Sequence, residues 1–106
     1  MDKAAALEAI ARFQKAIEAR GISIDKLVLY GSYARGDFRE GSDIDLIVIS
    51  NDFKKRDYWE RIELLSDAIY EVFEPIEVVG FTPEEWEKKE SPLVDYARHG
   101  EVIFAV

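Results

Sequence analysis

Gly31-Ser32-Tyr33-Ala34-Arg35-Gly36, preceded by Leu27-Val28-Leu29-Tyr30 and followed by Ser42-Asp43-Ile44-Asp45-Leu46-Ile47-Val48-Ile49, is the stretch that decides this 106-residue chain. Leu27 to Tyr30 is a short continuous apolar run that stops at a glycine, the pattern of a strand buried on both faces. Ile44 to Ile49 is a second such run. The intervening segment, Gly31 to Ser42, is rich in Gly, Asp and Arg and reads as a loop with a short helix. Side chains alternate along a strand, so Asp43 and Asp45 point one way and Ile44 the other.

Working outward, Leu7, Ile10, Phe13 or Gln14, and Ile17 recur at helical spacing among alanines, and Gly21 follows where a helix stop is favoured. This predicts a first helix over roughly Lys3 to Arg20. Beyond the turn residues Ser50, Asn51 and Asp52, the positions Tyr58, Ile62, Leu65, Ile69 and Val72 step by three and four and predict a second long helix ending near Phe73. Pro75 opens a third strand, Ile76 to Phe81. Thr82, Pro83 and Glu85 then supply an N-cap, a first-turn proline and a capping-box glutamate. Ser91-Pro92 repeats the start signal, Gly100 marks the stop, and Val102 to Val106 reads as a short last strand at a sheet edge. Helices alternating with buried strands predict an α/β (α+β) fold, a small mixed sheet backed by helices on one side, with residues 1–106 forming one domain.

Composition narrows the functional classes. There is no cysteine and one histidine, which excludes disulfides and thiolate or histidine-based zinc sites, so any metal must be held by oxygen. Fourteen basic against twenty-two acidic residues give a net charge of −8, which repels long nucleic acid. Neither an apolar run of membrane-spanning length nor a leader-like N-terminus is visible, and the expected location is the cytoplasm.

Two carboxylates in one small volume repel, and the arrangement makes sense if a cation lies between them. Few, hard oxygen ligands suit magnesium, which takes the rest of its shell from water and substrate phosphates. Upstream, Gly31 and Ser32 begin a turn into a short helix, where backbone amides and a hydroxyl can face a phosphate. Arg35, and Arg39 further along the loop, place positive charge where such an anion would arrive.

These residues resemble the signature of the polymerase-beta-like nucleotidyltransferases, and the wording GSYARG with SDIDL resembles its minimal nucleotidyltransferase (MNT) branch, whose members are often encoded beside a helical HEPN partner. The resemblance covers nearly the whole chain and implies the polymerase-beta-like fold. It implies transfer of a nucleoside monophosphate from a triphosphate, here ATP, to a hydroxyl. Gly31, Ser32, Arg35, Gly36 and Ser42 would bind nucleotide. Asp43 and Asp45 would ligate two magnesium ions. The third family carboxylate, usually aspartate, corresponds to Glu77, a departure that bears on catalysis more than on nucleotide binding. By the same resemblance the chain is an MntA-type antitoxin that adds AMP to a tyrosine of its HEPN-type toxin partner; acidity suits a basic partner.

Rival readings stand beside these. The fold can mask a partner by binding alone with a weak or inactive site, modify a small molecule, or sense a nucleotide without transferring it. Glu77 can pair with a neighbouring Lys or Arg. His99 suits a helix C-terminus as a cap rather than a catalytic group. Acid-rich Glu84 to Glu90 reads as a solvated helix face. Trp59, Trp86, Tyr58 and Tyr96 read as packing, and an exposed subset would mark a partner surface. The oligomeric state, a homo-oligomer included, stays open.

Overall fold

The computed structural model describes residues 1–88 and 91–106. In chain order it contains α1 (Lys3–Glu18), β1 (Lys26–Tyr30), the one-turn α2 (Ser32–Arg35), β2 (Ile44–Ile49), a 3-10 turn (Asn51–Lys55), α3 (Tyr58–Val72), β3 (Ile76–Phe81), α4 (Pro83–Lys88), α5 (Pro92–Ala97) and β4 (Glu101–Ala105). The last two positions of the acid-rich stretch Glu84 to Glu90 lie outside the described residues.

Local chemistry sets the helix starts. Asp2 accepts from the Ala5 amide at 2.8 Å. Asp57 and Glu60 form a reciprocal capping box at the head of α3. Thr82 and Glu85 do the same for α4, as the sequence predicts, with bonds of 2.7 and 3.1 Å. Ser91 accepts from the Leu93 amide ahead of Pro92. Each bond satisfies an amide that the first helical turn leaves without a partner.

The four strands form one mixed sheet in the order β3-β2-β1-β4. β1 is antiparallel to β2 and to β4, while β2 and β3 run parallel, joined by the α3 crossover. β3 and β4 are the edges, so the expected edge position of the last strand holds.

The two sheet faces are covered unequally. Leu27, Leu29, Leu46 and Val48 pack beneath α1 and α3 in the main core, with Ile10, Phe13, Ile17, Leu65 and Ala68. On the opposite face Val28, Ile47 and Ile49 pack against Trp86, Val94 and Ala97 from the short helices α4 and α5. The expectation of helices on one side is thus corrected: α4 and α5 form a second, smaller layer. The long helices dominate the hydrophobic pattern, whereas the apolar residues of two one-and-a-half-turn helices are too few to announce which face they cover.

Helix faces differ from expectation as well. In α1 the buried stripe is Ala6, Ala9, Ile10, Phe13, Ala16 and Ile17, which selects Phe13 over Gln14, while Leu7 is exposed. Its alanines let α1 lie close to its neighbours. In α3 the buried residues are Leu64, Leu65, Ala68 and Val72, and the expected core positions Tyr58 and Ile62 face outward. Among the described residues no helix is long and apolar enough to cross a membrane.

Candidate active site

Three strand ends meet in register to build the site. Tyr30 at the end of β1 is paired with Asp45 of β2, and Asp45 is paired with Glu77 of β3. Paired residues share a face, so Tyr30, Asp45 and Glu77 stand in one row on the face turned away from α1 and α3. Val28, Ile47 and Val79 continue that face into the smaller core. The row is where apolar packing gives way to an open, acidic edge.

Asp45 is half-buried, and loss of water pushes its carboxyl up to about 6. Glu77, within hydrogen-bonding reach, adds to this, Asp43 adds further, and only Arg35 opposes it. Tyr30 is pushed up to about 12 by burial and by the charges of Asp45 and Glu77. Asp45 and Tyr30 therefore report the same condition, negative charge at a partly buried position, which a proton or a cation relieves. Asp43 is exposed and stands one residue ahead of the paired strand, whose first amide, Ile44, donates to the Pro75 carbonyl at 2.8 Å. None of Asp43, Asp45 or Glu77 has an ion-pair partner among the described residues, so the alternative pairing of Glu77 with a neighbouring cation is not what the structure holds.

Gly31 is required here on two counts. Its backbone is left-handed, with φ 73°, and a β-carbon at this position would lie 2.1 Å from the Asp45 Oδ2 atom. The chain thus turns directly against the carboxylate, and only hydrogen fits. Ser32 starts α2 immediately afterwards, and Gly36 ends it in a left-handed cap whose amide donates to the Ser32 carbonyl at 2.9 Å. The Ser42 hydroxyl accepts from the Arg39 amide at 2.8 Å and closes the loop that leads into Asp43. Arg35 is half-exposed, bonded through Nε to Asp37 at 3.1 Å and through a guanidinium nitrogen to the Tyr96 hydroxyl. The structure therefore brings Gly31, Arg35, Asp43, Asp45 and Glu77 to one corner, and assigns Gly36 and Ser42 to the frame of the loop. His99 is exposed just past α5.

The donor set fits a hard cation. All its candidate ligating atoms are carboxylate oxygens, and burial, with Glu77 and Asp43 beside it, disfavours the Asp45 charge unless a counter-charge is present. Among the described residues no three acidic or imidazole side chains converge enough to hold an ion unaided. Magnesium is commonly bound by one or two carboxylates with substrate oxygens and water completing its octahedron, so an incomplete carboxylate set at an open edge is compatible with such an ion.

Residues 10–99 match the family model described as the nucleotidyltransferase domain. The chain belongs to this family. A Methanocaldococcus jannaschii protein provisionally named a protein adenylyltransferase is 46% identical over 46 residues, which is 42% of this chain and 45% of that protein. The match thus spans less than half of that relative's length. In fold, the nucleotidyltransferase is similar to a solved protein from Sulfolobus solfataricus provisionally named a nucleotidyltransferase (TM-score 0.61, 20% identity, 94% of this chain and 86% of that one). It is also similar to a chain in the complex of a tri-AMPylated Shewanella oneidensis HEPN toxin with its MNT antitoxin (TM-score 0.54, 18% identity, 92% and 73%). These agree with the polymerase-beta-like fold expected from the motif.

Two residues of the nucleotidyltransferase site escape a reading of the sequence. Tyr30 carried a signal: it shares its strand face with Val28, directly before the glycine. Tyr96 carried none. It reaches Arg35 because Val94 and Ala97 seat α5 on β1, which sets the Tyr96 ring edge-on to Tyr30 with centroids 5.8 Å apart.

Proposed function

We propose that this chain transfers the AMP moiety of ATP to a hydroxyl of a partner protein, acting as the antitoxin that modifies a tyrosine of a HEPN-type helical toxin. The single observation that carries the reading is the row Tyr30, Asp45, Glu77 abutting Gly31, because it couples a cation-seeking pair of carboxylates to a turn that only glycine can make. Asp43, Asp45 and Glu77 would hold magnesium, with triphosphate oxygens and water completing the shell.

 When bound, the ion supplies charge neutralisation at the α-phosphate and at the departing oxygen.

The remaining steps belong to the chain's own residues. The Gly31-Ser32 turn and Arg35 bind and orient the β- and γ-phosphates, so that the bond from the α-phosphorus to its bridging oxygen points away from the acceptor. Glu77, on the exposed edge strand, takes the proton of the incoming hydroxyl. The hydroxyl oxygen forms its bond to the α-phosphorus as the bridging bond breaks, and pyrophosphate leaves with that electron pair. Tyr30 walls the row from the apolar core and limits water around Asp45.

The test uses ATP labelled at the α-phosphate, magnesium and a HEPN-type partner. Label on a partner tyrosine, lost with Asp45→Asn, is the expected result. Label that persists in that variant would overturn the reading, and inhibition of the partner without label would assign the chain to the masking class instead.

A further inference from the structure

Helix α3 has three distinct faces. Leu64, Leu65, Ala68 and Val72 are buried. One flank carries Glu60, Glu63, Asp67 and Glu71, all exposed. The other carries Trp59, Ile62, Tyr70 and Phe73, with Trp59 72%, Tyr70 83% and Phe73 84% exposed. These steps of three to eight residues put the apolar side chains in one stripe along the helix. The stripe borders a cleft of about 100 Å³ between α3 and β3, lined by Tyr58, Ile62, Leu65, Val78 and Gly80 among others. β3 itself is an edge strand paired only with β2.

Phe73 sharpens the point. It caps α3 in the left-handed region, φ 57°, where glycine or asparagine is the usual residue. A bulky side chain there strains the backbone, and this one also leaves an aromatic ring in water. Glycine would avoid both costs, so stability does not account for phenylalanine at this position.

We propose that the Trp59-Ile62-Tyr70-Phe73 stripe is a docking surface for an amphipathic helix of another protein, with an apolar face and a basic rim. Charge selects this occupant. Glu63 and Asp67 border the stripe without ion-pair partners among the described residues. A second copy of this chain would set acidic rim against acidic rim, and nucleic acid is repelled by the same groups. From residue 59 to residue 73 the stripe runs about 21 Å, the length of a partner helix of about 14 residues. The docking surface stands apart from the transferase reading.

The probe is a synthetic amphipathic peptide of about 18 residues with a leucine face and a lysine rim, set against a counterpart with a glutamate rim. Labelled peptide is titrated with the full chain and with the W59S/Y70S/F73G variant, which leaves every charge in place. The lysine-rimmed peptide is expected to bind the wild type about tenfold or more tightly than the variant, and the glutamate-rimmed peptide to bind neither. Equal binding to both proteins, or no binding to the wild type, overturns the proposal. So does self-association of the wild type that the variant lacks, since the stripe is then covered by a second copy. Magnesium-ATP binding is measured on both proteins in parallel. Its loss from both, with the peptide pattern intact, would sink the transferase reading and leave the docking surface standing.

Discussion

The two faces of the sheet are made by alternate residues of the same strands, yet they serve different ends. On the α1-α3 face, Leu27, Leu29, Leu46 and Val48 are fully buried among largely apolar neighbours. On the other face the same strands carry Val28, Ile47 and Ile49, then end in Tyr30, Asp45 and Glu77. The first face supplies packing. The second is packed only as far as α4 and α5 reach, and where they stop it gathers charge that the folded chain does not neutralise. A strand's period of two lets one element hold the fold with half its residues and expose unfavourable chemistry with the other half.

Adjacent substitutions in β2 would break this comparison most sharply. Asp45→Asn is expected to lower AMP transfer by about 10³-fold, since several kcal/mol of transition-state stabilisation depend on that ligand. It should nevertheless raise the melting temperature at pH 8, because it removes a half-buried charge that Glu77 and Asp43 disfavour. Leu46→Ala, one residue on, should cost about 2–5 kcal/mol of stability through the cavity it leaves. Denaturant titration and a transfer assay on both variants check the pair. A destabilised Asp45→Asn protein would mean that the carboxylate holds the fold together rather than burdening it.

Gly31→Ala should fail on both counts. The added methyl meets the Asp45 carboxylate, and the backbone conformation is one that alanine resists at about 1 kcal/mol or more. Transfer is expected to fall with Asp45 displaced, and Gly31→Ala combined with Asp45→Ala should recover the stability lost to the collision, but neither that lost to the backbone conformation nor activity. Thermal melts of the single and double variants test that coupling.

The pH dependence follows from the same row. Asp45 has its folded value raised, so its contribution to stability is fully present below the ordinary aspartate range and is lost as pH rises through about 6. Cation binding has the opposite slope, because the ion needs the ionised carboxylate. Without magnesium the protein should become less stable as pH climbs from 4 to about 7, and magnesium-ATP should protect it increasingly above about 6. Melting curves across that range, with and without the ligand, check both signs.

Strand and helix starts were legible in the sequence because their signals are local. The apolar runs at Leu27 and Ile44, the Thr82-Pro83-Glu85 cap and the Ser91-Pro92 start each depend on a few neighbouring residues. The face of α3 was not legible. Its apolar residues cover so much of the circumference that periodicity alone could not decide between Tyr58 and Ile62 on one arc and Leu64 and Ala68 on the other. The spacing of Gly31 to Asp45 pointed to the site, but the collision that forbids any side chain at Gly31 is a fact of tertiary packing. Tyr96 lay beyond reach for the same reason, since its place depends on how α5 sits against β1.

Tyr96 gives the smallest expected effect and the finest test of the chemical face. Its hydroxyl meets the Arg35 guanidinium from one side while Asp37 holds it from another. Both side chains are about half exposed, so water competes for the bond and its contribution is small. Tyr96→Phe keeps the ring against Tyr30 and removes only the oxygen. If Arg35 orients the triphosphate, loosening it should raise KM for ATP by about two- to fivefold and leave kcat nearly unchanged, the signature of binding shared by ground and transition states. Arg35→Lys should raise KM further, because an ammonium cannot reach Asp37 and Tyr96 in the same planar geometry. A kcat loss in Tyr96→Phe without a KM change would instead place the hydroxyl at the reacting atoms, and would extend the chemical row from the three strand ends onto α5.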